Sequence, residues 1–145
     1  MICSFRHPAR RLLALICLAW LVAGAALAQD PQATVAQAAA REWLALADRA
    51  DAQASWNAAA KKFQAAMPAA AWADALAKLR TPMGPVKSRT ISKTGFRKKF
   101  QDVPEGDYVL VVYVTNFANK DRAQETLTLE RESDGKWRVL GYSIL

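Results

Sequence analysis

The sequence predicts an α+β domain, three N-terminal helices packed on an antiparallel sheet of about four strands. Three observations predict it. Alanine-rich chain with apolar residues at helical spacing comes first, and strand-forming chain follows Pro85. The run from Tyr108 to Phe117 is almost all β-branched and aromatic side chains, which suit a pleated surface. Short polar connections then join further strand-like runs, one of them Ser133-Asp-Gly-Lys136 with a hairpin-turn signal.

The chain opens on a leader. Arg6, Arg10 and Arg11 precede an apolar stretch from Leu12 to Ala26, and Ala26-Leu-Ala28 fits the small-x-small rule for cleavage before Gln29. The apolar part falls short of the ~20 residues that span a bilayer comfortably. Residues 1–28 are therefore expected to be a signal peptide, with an uncleaved anchor as the alternative, and residues 29–145 a single domain exported to the periplasm or beyond. No transmembrane span remains after cleavage. Cys3, Cys17 and His7, the only Cys and His residues, would leave with the leader. A domain without them has no disulfide, no Cys/His zinc site and no Ser-His-Asp or Cys-His nucleophile. No cofactor or metal is expected.

Gln29 to Ala33 reads as a mobile polar lead. A first helix is expected from Thr34, as N-cap, to about Arg49, with Val35, Ala39, Trp43, Leu46 and Ala50 on its apolar stripe. A second, after Asp51, carries Trp56, Ala60, Phe63 and Met67. A third begins at Pro68 and carries Trp72, Leu76, Leu79 and Met83, before Pro82 and Gly84-Pro85 stop it. Each helix thus has one tryptophan, placed as an anchor onto the sheet rather than as part of a ligand cage.

Val86 to about Lys93 is expected as a first strand, with a turn at Gly95 and a short strand or irregular arm over Phe96–Phe100. Val103–Asp107 is a turn cluster leading into the central strand at Tyr108, whose continuous apolar run suggests cover on both faces. From Ala123 to Glu132, Leu127 and Leu129 alternate with Thr126, Thr128 and Glu130, a half-buried strand. Trp137–Ile144 is the last.

Several motifs resemble a bacterial family of exported proteins, the domain-of-unknown-function family 4019. They are Arg80-Thr-Pro-Met-Gly-Pro-Val86 with Arg89, Pro104-Glu-Gly-Asp-Tyr108, Phe117-Ala-Asn-Lys120, Glu125-Thr, and Gly135-Lys-Trp-Arg-Val-Leu-Gly-Tyr142. The likeness begins near Trp43 and takes in Ser55-Trp56 and Trp72; Phe96–Asp102 departs from the family pattern. It implies an exported α+β domain with helices against a curved sheet, cystatin-like or NTF2-like, and brings no activity with it.

Charge is distributed unevenly. Lys78, Arg80, Lys87, Arg89, Lys93, Arg97, Lys98 and Lys99 fall between Ala75 and Gln101 with no acidic residue among them. On a regular strand Lys87, Arg89 and Lys93 would share a face with Ile91. Such a segment attracts an anionic envelope surface or an acidic ligand, or else is a solvated edge kept from aggregating by its lysines. Phe96 and Phe100 around Arg97-Lys98-Lys99 suit a membrane interface. Export and the missing recognition motif argue against nucleic acid. A second candidate is the set Arg80, Arg89 and Glu125, in which the strand parity of Glu125 with Leu127 and Leu129 turns its carboxylate inward. Arg80 with Glu125 is either a structural ion pair or a pocket in which Glu125 acts as a base; Tyr113, Asn116 and Tyr142 are candidates to line the same concavity. The expected function is an exported, non-catalytic binding or interaction module, with a protein partner among its candidate ligands. The alternative is a small ligand-pocket protein or enzyme using Glu125.

Overall fold

The computed structural model describes residues 30–100 and 103–145, so the expected leader lies outside the described residues. Four helices precede four strands: α1 Pro31–Asp48, α2 Ala52–Asn57, α3 Lys61–Ala66, α4 Ala69–Arg80, then β1 Val86–Arg97, β2 Tyr108–Phe117, β3 Ala123–Arg131 and β4 Trp137–Ile144. The strands form one open sheet in the order β1-β2-β3-β4, each neighbouring pair antiparallel. This is the expected α+β class.

Helix α1 starts three residues earlier than Thr34. The Asp30 carboxylate accepts from the Gln32 N–H at 2.8 Å, and Pro31 takes the first turn, where its missing N–H costs nothing. The polar lead is thus mostly helix. Its buried face runs through Ala33, Ala36, Ala40, Trp43, Leu44 and Ala47, while Val35 is 59% exposed. The helix is turned from the expected stripe so that alanines, not Val35, meet the sheet, which lets the two layers approach closely.

The expected second helix is two. It breaks at Ala58–Ala60, although alanine favours continuation. Tertiary contacts win there. Ala59 and Ala60 are buried, and the Ala60 N–H donates to the Val139 carbonyl of edge strand β4 at 2.8 Å. The tryptophans anchor this layer. Ser55 accepts from the Trp43 indole on its carbonyl (2.8 Å) and from the Trp72 indole on its hydroxyl (2.9 Å), while the Trp56 indole donates to the Met67 carbonyl at 2.7 Å. Trp72 also meets Trp43 at 5.7 Å and Phe63 at 5.1 Å between ring centroids.

Strand β1 runs without a turn through Gly95, which pairs with Leu110. It carries two bulges, between Val86 and Ser88 and between Ile91 and Lys93. In β2, Val109, Val111, Tyr113, Thr115 and Phe117 are buried, whereas Leu110, Val112 and Val114 are only half-buried. The expectation of cover on both faces is therefore corrected: the core lies between the helices and one face, and among the described residues the other face of the sheet carries no helix. Because Ala60 has no room to grow, Ala60→Leu should lower the urea unfolding midpoint, at a cost of about 1–3 kcal/mol.

Candidate functional site

Glu125 is fully buried at the middle of the polar end of the core. β3 parity aims it at the helices, as the alternation with Leu127 and Leu129 predicts. Its Oε1 accepts from Arg80 Nη1 (3.1 Å), Arg89 Nη2 (3.1 Å) and the Tyr142 hydroxyl (2.6 Å). Its Oε2 accepts from Arg89 Nε (2.6 Å) and from the Thr115 hydroxyl. Five donors thus converge on a carboxylate that offers about four lone-pair sites.

Asp48, at the end of α1, closes the network from the other side. It accepts from Arg80 Nη2 at 2.6 Å and from both Arg89 terminal nitrogens at 2.8 and 2.9 Å. Two cations therefore face two anions, and the cluster is electrically neutral. Arg80 also lies over the Phe117 ring, 4.9 Å from its centroid. Hydrogen bonds and charge from Asp48 and Glu125 raise the Arg89 pKa further, against the opposing effect of burial, which is the largest single contribution. Burial first, then the charge and hydrogen bond of Glu125, push the Tyr142 hydroxyl upward; burial does the same to Tyr113.

Sequence reasoning found Arg80, Arg89, Glu125 and Tyr142 but missed Asp48 and Thr115. Both had a signal. An acid in the last turn of a helix opposes the helix dipole and asks for a compensating cation. Thr115 shares parity with Val109, Val111 and Tyr113, so its hydroxyl must point into the core. Asn116 faces away from the concavity, donating to Ser88 at 3.0 Å.

The basic segment is not one surface. The bulge before Lys93 reverses parity, so Arg89 and Ile91 pair with inward-facing Thr115 and Tyr113, while Lys93 pairs with outward-facing Val112. Lys87 sits in the first bulge. The expected common face for Lys87, Arg89 and Lys93 is therefore corrected: Arg89 belongs to the buried cluster, and the two lysines are exposed along the sheet edge. Arg97, Lys98 and Lys99 are exposed at the far end, Lys98 paired with Asp107. At about 3.3 Å per strand residue, roughly 30 Å separates Lys87 from Arg97. That is several times the screening length of about 8 Å in physiological salt. An apolar groove of about 350 Å³ between α3, α4 and β4 is walled by Phe63, Met67, Trp72, Leu79, Leu140 and Tyr142. Among the described residues no group of three metal-ligating side chains occurs.

The family model for proteins of unknown function DUF4019 matches residues 39–142, which contain every member of the cluster. The chain belongs to the DUF4019 family. No curated protein and no solved structure matches it. This DUF4019 domain is accordingly described by its own topology, helices followed by a four-stranded open sheet, and the cystatin-like or NTF2-like label finds no structural neighbour to rest on.

Glu125→Gln leaves Arg80 and Arg89 with one anion between them and should destabilise the domain by about 3–5 kcal/mol, read by denaturant unfolding. The two raised tyrosines also set an alkaline limit. An unfolded chain releases these protons from about pH 10. The folded chain holds them to higher pH, so stability is full below that point and falls above it. Tyr142→Phe should lower stability at neutral pH yet flatten the alkaline decline, measured as unfolding midpoint against pH.

Proposed function

We propose that this is an exported, non-catalytic binding module that meets an anionic partner through the basic segment ending at Lys99. The observation that carries the reading is the saturation of Glu125. A general base needs a lone pair free to take a proton from a substrate, and every acceptor site of this carboxylate is met by a donor of the fold itself. The cluster is then structural, and contact falls to the exposed cations. Arg97, Lys98 and Lys99 are the densest group of these, consecutive in sequence and at one end of the sheet. A leader with a positive start and a cleavable apolar core supports export, and the missing recognition motif favours a phosphate- or carboxylate-bearing surface over nucleic acid.

Retention on a column of an immobilised polyanion at low salt tests this. Replacing Arg97, Lys98 and Lys99 together by Ser should abolish retention, while Lys87→Ser with Lys93→Ser should weaken it only slightly. Equal retention of the triple variant sinks the reading.

A further inference from the structure

The end of the domain that carries Arg97–Lys99 is apolar as well as basic. Two adjoining grooves meet there and share Gln32 and Trp137. One, of about 330 Å³, is lined by Phe96, Arg97, Lys98, Asp107 and Tyr108. The other, of about 180 Å³, is lined by Pro31, Val35, Arg131 and Gly135. Large apolar side chains exposed in the described residues are Val35 (59%), Phe96 (37%) and Leu145 (71%), and two of those three sit here. Phe96 reaches from edge strand β1 to Trp137 on edge strand β4, 6.0 Å between ring centroids, so the aromatic floor crosses the whole width of the sheet.

Cations outnumber anions here: Arg97, Lys98, Lys99 and Arg131 stand against Asp30, Glu105 and Asp107, with Lys98 paired to Asp107. Arg97 Nη1 donates to the Phe96 carbonyl and Arg131 Nε to the Gly135 carbonyl, which cost neither guanidinium its charge. Val35 and Phe96, exposed beside a majority of cations, fit the boundary between headgroups and acyl chains, where apolar burial and attraction to anionic lipid act together.

We infer that this end of the domain, with Val35 and Phe96 exposed over buried Trp137 and Arg97, Lys99 and Arg131 nearby, docks on an anionic phospholipid surface. The inference rests on the binding-module reading and adds the apolar half of the contact, which an acidic polymer would not use.

The test uses protein expressed from the full sequence, with every variant purified to the same leader status as the wild type. Vesicles of equal parts phosphatidylglycerol and phosphatidylcholine are compared with phosphatidylcholine alone and with the polyanion column. Wild-type protein should bind the anionic vesicles and be retained on them at low salt. Val35→Ser with Phe96→Ser should weaken vesicle binding at least about tenfold and leave the salt needed to elute from the polyanion unchanged. Val35→Ser alone, at a side chain that packs on little, gives a smaller loss in the same direction and guards against misfolding of the double variant. Unchanged vesicle binding in the double variant overturns the membrane contact and leaves the electrostatic reading standing. Equal binding to phosphatidylcholine alone overturns the anionic preference. No retention on vesicles or polyanion overturns both.

Discussion

The Glu125 carboxylate is the constraint around which the rest is arranged. A charge taken fully out of water must be paired and hydrogen-bonded or its desolvation outweighs everything it contributes. Here the partners come from α1, α4, β1, β2 and β4, with Glu125 itself on β3. Six elements thus have to arrive in one register for the charges to cancel. A slip of one residue in β3 would swing Glu125 to the open face and leave two guanidinium groups in the core. What the cluster contributes is less net stability than a penalty on every wrong pairing of the sheet.

The two ends of the helix-covered face are closed by different chemistry. At one end charged and hydroxyl groups from β1, β2, β3 and β4 meet; at the other Phe96 and Trp137 do so through an aromatic contact. Between them lies a core of alanine, leucine, valine and tryptophan. Glu125 is sealed from solvent at one end, while Val35 and Phe96 are exposed at the other.

Much of the fold was legible because periodicity and turn chemistry agree. The limits of β2 and β4, the Asp-Gly turn with Gly135 at φ +79°, and the inward direction of Glu125 all follow from local pattern. What was not legible depends on contacts distant in sequence. Alanine at 58–60 reads as helix until the Val139 carbonyl claims the Ala60 N–H. Gly95 reads as a turn until Leu110 supplies its ladder partner. A bulge leaves no mark in composition, so the parity change at Ser92 that separates Arg89 from Lys93 could not be read from alternating residues. The basic segment was visible as a count of charges, but its division into a buried, an edge and an end portion depends on β1 pairing with β2.

The Ala60–Val139 bond also decides how the sheet meets other molecules. An open sheet has two growth fronts, and on one of them this contact gives the Val139 carbonyl of β4 a partner from within the chain. On the other front, β1 is bent by two bulges and studded with Lys87 and Lys93, features that spoil a template for an added strand. Both edges are thereby poor templates for a second copy, and the faces and ends of the sheet are left as the regular surfaces.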